Sequence, residues 1–76
     1  MISELESVVL TRDVTESGLK EGDIGAVVHC YRNEQTFEVE FVTADERTVA
    51  VLTLHAKDVR PVRNSEILHV RELASA

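Results

Sequence analysis

The chain has 76 residues, with fourteen acidic and eight basic side chains and a net charge of −6; a chain of this length makes one domain and buries only about 60% of its unfolded surface. A core of that size supplies roughly 3–5 kcal/mol, and Cys30, the single cysteine, leaves no disulfide to add to it. The charge works against a phosphate backbone or an anionic membrane, both of which are held by clustered Lys and Arg, and suits solubility or a basic partner.

In chain order the residues favour strands. Ser7-Val-Val-Leu-Thr11 reads as a first strand, closed by the polar stretch Arg12 to Ser17. Gly18-Leu-Lys-Glu-Gly-Asp23 is a loop whose glycines can take positive φ, and Leu19 within it is an apolar plug for the underside of a barrel. Ile24 to Tyr31 is a second strand, in which Gly25 predicts a bulge or sharp bend. Arg32-Asn-Glu-Gln35 is a hairpin connection. Thr36 to Val42 alternates most cleanly, with Phe37, Val39 and Phe41 on one face and Glu38 and Glu40 on the other.

Ala44-Asp-Glu-Arg47 makes the next turn, and Thr48 to Leu54 is a fourth strand of nearly pure β-formers. His55-Ala-Lys-Asp58 suits one 3₁₀ turn. Val59-Arg-Pro-Val62 is a short fifth strand, and Pro61, lacking an N–H, places it at an edge. Five short strands about ten residues apart predict an all-β fold, a small five-stranded SH3-like barrel over residues 1–62.

Residues 63–76 form a C-terminal tail that packs on the barrel or on a partner. One reading is a short helix capped by Ser65, with Ile67, Val70 and Leu73 or Ala74 on one face. The other is an extra strand that pairs Leu68 with Val70 on a face. The tail is also where the charge changes. Residues 1–56 hold eleven acids and four bases, whereas residues 57–76 hold three acids and four bases.

The run Leu19-Lys-Glu-Gly-Asp-Ile-Gly-Ala-Val-Val, then Phe37-Glu-Val-Glu-Phe41, then Leu54 and Asp58-Val-Arg-Pro-Val62 carry a family resemblance. With Val8-Val-Leu10 and Glu66-Ile-Leu-His-Val-Arg-Glu-Leu73, they resemble a small uncharacterised bacterial family, domain of unknown function 4926, over nearly the whole chain. That resemblance implies no activity and no cofactor. More distantly, the Gly-Asp-x-Gly-x-Val element from Gly22 to Val27 resembles the KOW motif of SH3-like barrels in ribosomal and transcription-elongation proteins. It is also similar to SH3-like accessory subunits of electron-transfer complexes and to the nitrile hydratase β-subunit barrel. Its physical content is a turn, a bend and a core valine, so it reports fold. RNA-binding KOW domains carry basic residues around this loop, where this chain has Glu16, Lys20, Glu21 and Asp23.

Chemistry-bearing residues are sparse. Glu38 and Glu40 share a strand face about 7 Å apart, a spacing compatible with acid–base work. With two Phe, one Tyr and no Trp in the chain, no aromatic pocket accompanies them, and they read as the solvent face of an amphipathic strand. His29, Cys30, His55 and His69 lack the paired spacing of zinc ligands, and neighbours on a strand point to opposite faces. No phosphate loop or nucleophile elbow is present. The expectation is a non-enzyme without metal or cofactor.

A lone cysteine and an N-terminus with neither basic nor apolar region predict a cytoplasmic protein with no membrane contact. The fourth strand carries Ala50, Leu52 and Leu54 on one face and Val49 and Val51 on the other, so both faces need cover. Ile67, Leu68, Val70 and Leu73 of the tail, a second copy in a homodimer, or a partner would supply it. These residues, with the acidic face of Glu38, Glu40, Asp45 and Glu46, describe a non-catalytic protein-interaction or accessory module. The alternative is a KOW-like RNA- or ribosome-binding module whose phosphate patch is Lys57, Arg60, Arg63 and Arg71.

Overall fold

The computed structural model describes residues 2–73, so the expectations for Ala74 to Ala76 lie outside the described residues. Five strands form: β1 (Ser7–Leu10), β2 (Ile24–Cys30), β3 (Thr36–Val42), β4 (Thr48–His55) and β5 (Val59–Pro61). They lie in one sheet in the order β4-β3-β2-β1-β5, each antiparallel to its neighbours. Two 3₁₀ turns, Thr15–Ser17 and Ala56–Asp58, are the helical content among the described residues. The chain is therefore all-β. Its ladder ends at β4 on one side and β5 on the other, so the sheet is open rather than closed by hydrogen bonds.

The alternation in β3 sets the core. Phe37, Val39 and Phe41 are buried in register with Leu54, Leu52 and Ala50 of β4. On the other side Val39 faces Val27, and Val8 and Leu10 complete the layer with Val59. Leu19 is 3% exposed and enters this core beside Val14, its loop closed by paired backbone bonds between the two residues. Gly18 and Gly22 hold φ of 73° and 95°, which a side chain would strain.

Gly25 has a different role from the bend expected of it. It sits in register with Val8, and a Cβ there would lie 2.7 Å from both Val39 Cγ1 and Phe41 Cε2. The missing side chain is therefore what lets β2 close on the aromatic core. The bulges fall elsewhere: Val28 is the extra residue between Val27 and His29, and Val49 is the extra residue opposite the Phe41–Val42 step.

The bulge at Val49 changes the reading of β4. Val49 is half-buried and packs against the core. Val51, in register with Glu40, is the apolar residue left on the outer face of this strand, 52% exposed. An added residue in a strand reverses which side the following side chains take, and periodicity alone does not reveal it.

Residues 63–73 form neither the helix nor the strand considered for the tail. Instead of capping a helix, Ser65 lies in a turn in which the Glu66 N–H donates to the Arg63 carbonyl at 3.0 Å. The Glu66 carboxylate accepts the Arg63 N–H as a helix-starting carboxylate would, but the Arg60 fork ties it to β5, and no further backbone turn follows among the described residues.

Candidate functional site

The outer face of β2, β3 and β4 gathers the polar residues that alternate with the core. Register places Ala26, Glu40 and Val51 in one row and His29, Glu38 and Thr53 in the next. Glu38 Oε2 accepts from Thr53 Oγ1 at 2.5 Å and from Tyr31 Oη at 2.7 Å. The Thr53 bond first and the Tyr31 bond second hold the Glu38 carboxyl below its ordinary range, with burial opposing them and the nearby His29 adding a smaller downward effect. Donating to that carboxylate raises the Tyr31 phenol. His29 stands edge-on to Tyr31, with centroids 4.9 Å apart, and its Nδ1 is 3.6 Å from Glu4 Oε2. Glu40 accepts from Thr48 Oγ1 at 2.8 Å.

Both carboxylates are thus fixed acceptors on an open surface. An ionised Glu38 pinned by two hydroxyls is suited to presenting charge and poorly suited to donating a proton at neutral pH. Around it stand exposed apolar side chains: Val28 at the β2 bulge, Tyr31, Val42 and Val51. At the next turn Asp45 accepts from Thr43 and Arg47, the Thr43 bond being the stronger influence in lowering its carboxyl.

The tail crosses a different part of the sheet from Glu38, Glu40 and Val51, and its end lies beside Val42 and Asp45. From Val62 it passes across Val9 and Ile24 of β1 and β2, lining with Gly22 and Arg60 a small cavity of about 170 Å³. Val9, which points away from the core, is only 6% exposed as a result. Two ion pairs hold the strap. Arg60 forks onto Glu66 at 2.9 and 2.6 Å. That bond, with the Arg63 N–H, draws the Glu66 carboxyl down from 4.5 to about 2. Arg71 forks onto Asp23 at 2.7 and 2.5 Å and donates to the Gly18 carbonyl. Burial works to raise the Asp23 carboxyl, but Arg71 and the Lys20 N–H outweigh it and the net shift is downward.

The tail's apolar side chains contribute little to this cover. Ile67 is 87% and Val70 95% exposed, and Leu68 and Leu73 are also exposed. Beyond His69 the tail runs beside the β3–β4 turn, leaving a groove of about 660 Å³ lined by Leu19, Phe41, Thr43, Arg47, Val49 and Arg71 among others. The eight residues expected to share one interaction surface therefore fall into three places. Glu38, Glu40 and Val51 lie on the outer face, Val49 turns into the core, and Ile67, Leu68, Val70 and Leu73 stand on the strap.

The four basic residues considered for phosphate binding are likewise divided. Arg60 and Arg71 are taken up by carboxylates, while Lys57 and Arg63 form no ion pair among the described residues. His29 faces outward and Cys30 inward, its Sγ 3.7 Å from the Ile2 carbonyl. Among the described residues no three His, Cys, Asp or Glu side chains gather as metal ligands. Among the described residues no helix is long and apolar enough to cross a membrane.

Asp58 acquires its importance only in three dimensions. It is 4% exposed, accepts from Arg12 Nε at 2.9 Å and from the His55 N–H at 3.0 Å, and its carbonyl takes the Thr11 N–H. Burial opposes its ionisation, yet the Arg12 bond, the His55 N–H and the surrounding positive charge leave its carboxyl lowered. Its role is to tie the end of β1 to the turn before β5. Only the distance-spanning partner, Arg12, marks it out, and that is invisible in a linear reading.

One family profile, described as Domain of unknown function (DUF4926), matches residues 4–61, which takes in all five strands. No curated protein and no solved structure gives a significant match.

Proposed function

The chain belongs to the DUF4926 family of unknown function, and on that premise we propose that it is a non-catalytic protein-interaction or accessory module of a bacterial cytosol. The carrying observation is the outer face of β2, β3 and β4. There Glu38 and Glu40 are held in place by Thr53, Tyr31 and Thr48, with Val28, Val42 and Val51 exposed around them. Ordered carboxylates beside apolar side chains suit a partner that brings a basic patch with an apolar centre. The strand order β4-β3-β2-β1-β5 supports an SH3-like barrel as the scaffold of this module.

The test is a pull-down from the source cell with the intact chain and with a Glu38→Lys/Glu40→Lys variant. A protein retained by the intact chain at low salt and lost by the variant supports the reading. Equal recovery on both, or recovery of RNA alone, overturns it. The RNA-binding alternative gains little from the geometry, because two of its four basic residues are already neutralised by Glu66 and Asp23. A gel shift at low salt separates the two readings.

A further inference from the structure

The free edge of β4 is the feature that the outer face leaves unexplained. Two backbone bonds set which β4 groups look toward β3. Tyr31 N–H donates to the Thr36 carbonyl, and Ala56 N–H donates to the Gln35 carbonyl. Hydrogen-bonded and non-hydrogen-bonded pairs alternate along an antiparallel ladder. The bonded pairs between β3 and β4 are therefore Phe37 with Leu54, Val39 with Leu52 and Phe41 with Ala50. Val51, Thr53 and His55 then turn their N–H and C=O groups away from β3. The His55 N–H agrees with this phase, since it donates to Asp58 Oδ2 on that side. No described residue partners the outward backbone groups of Val51 and Thr53.

Open edges are ordinarily blunted by charge, proline or brevity. The other edge of this sheet has all three, since β5 is three residues long and includes Arg60 and Pro61. The β4 edge has none of these three, and its one protective irregularity is the bulge at Val49 near its start. Its eight residues, Thr-Val-Ala-Val-Leu-Thr-Leu-His, include no charged residue and no proline.

We propose that β4 pairs antiparallel with β4 of a second copy of this chain, about a twofold axis at Val51, so that two open sheets become one. This contact uses the backbone edge of β4 rather than the outer face, and so goes beyond the interaction reading above. Residues directly opposite across an antiparallel pair share a face, which restricts a twofold register to one centred on a residue. Centring on Val51 places Val51 against its counterpart on the outer face and Ala50 against Leu52 on the core face. The ends of the strand are charge-complementary in this arrangement. Asp45 and Glu46 precede β4 and Lys57 follows it, so antiparallel pairing brings the acidic turn of one copy to the lysine of the other. Centring on Leu52 instead sets Arg47 level with Lys57, which is repulsive. With Asp45 already held by Arg47, it is Glu46 that this register leaves to attract Lys57, set against the net charge of −6 on each copy.

Pairing of a single strand covers less than the ~800 Å² per partner of a standard interface, so the dimer is concentration-dependent. Sedimentation equilibrium on the full chain, from micromolar to about 1 mM, reads it directly. The expected result is a monomer–dimer equilibrium that Val51→Lys weakens at least about tenfold, because like charges would face each other across the axis. Circular dichroism and the thermal midpoint of the Val51→Lys monomer should match the intact chain, since this side chain is exposed. Lys57→Glu should weaken the dimer, and Glu46→Lys added to it should restore it. A wild type that stays monomeric throughout, or a Val51→Lys dimer as strong as wild type, overturns the pairing. A dimer lost on Leu68→Ser but not on Val51→Lys assigns the contact to the strap and overturns it equally. The pull-down with Glu38 and Glu40 reversed is independent of these outcomes, so a monomeric chain that still captures its partner separates the two readings.

Discussion

Arg71 grips both carboxylate oxygens of Asp23 across 48 positions of sequence, and the same guanidinium reaches the carbonyl of Gly18. One side chain thus joins the tail to the glycine loop, whose own geometry is set by the bond from the Lys20 N–H to Asp23 at 2.8 Å. Partial shielding makes this pair worth more than a surface contact between two freely solvated chains, though still on the order of 1 kcal/mol. Arg71→Ala should leave the sheet intact and release the strap. The Val9 and Ile24 methyl resonances should then shift as those side chains become accessible, while the β3 amides keep their protection from hydrogen exchange. Unchanged Val9 and Ile24 resonances would show that Arg60 and Glu66 hold the strap alone.

Acid should loosen the same strap from its other anchor. The Glu66 carboxyl is drawn from 4.5 down to about 2 by Arg60 and the Arg63 N–H. A folded-state value below the unfolded one gives stability that is complete above the unfolded value and lost as pH falls through the folded one. The loss therefore falls between about pH 4.5 and pH 2, and Asp23 and Asp58, both lowered, act in the same direction. Urea midpoints measured from neutral pH down through this window should fall within it. Glu66→Gln should start lower at neutral pH and fall less steeply.

Gly25→Ala should destabilise the sheet by about 1–3 kcal/mol, because the added methyl enters space held by core side chains. The nearest atoms are Val39 Cγ1 and Phe41 Cε2, both at 2.7 Å. Urea unfolding measures the cost, and a Val39→Ala second change should recover part of it. A Gly25→Ala variant as stable as wild type would mean that the β2 backbone moves aside without penalty.

Asp58→Ala removes the acceptor of two donors in a part-buried corner. Leaving the His55 N–H unsatisfied and Arg12 unpaired should cost about 2–3 kcal/mol. Asp58→Asn keeps one acceptor oxygen and should cost less. Chemical denaturation of the two variants side by side gives the order.

Tyr31→Phe and Thr53→Val should each move the Glu38 carboxyl back toward its ordinary range, with Thr53→Val giving the larger change. A carboxyl-detected NMR titration reads this without any need for a partner.

The strands were legible because their signal is local. In β3 the alternation of Phe37, Glu38, Val39, Glu40 and Phe41 places both boundaries at Thr36 and Val42, where the structure has them. β4 runs one residue further than expected, to His55, and β2 stops one short, at Cys30. What escaped reading depends on distant partners. The bulge that turns Val49 inward is a property of the β3–β4 register, and no pattern within Thr48 to His55 carries it. The path of the tail is set by Asp23 and Arg60, whose side chains no periodicity within residues 63–76 reveals. On the outer face, Glu38 and Glu40 were legible as surface carboxylates, but the hydroxyls that pin them come from separate stretches of the chain.

The position of β1 has a consequence for the order in which the fold can assemble. This strand lies inside the sheet although it is first in the chain, flanked by β2 and by β5, whose residues follow about fifty positions later. Its outward Val9 waits further still, for the strap. As the polypeptide emerges during synthesis, the meander of β2, β3 and β4 can form from neighbours already made. Ser7 to Leu10 meanwhile keeps one side open until Val59 to Pro61 arrives. Completion is therefore a late, long-range closure, and the interval before it is when the nascent chain is most exposed to pairing with the wrong strand.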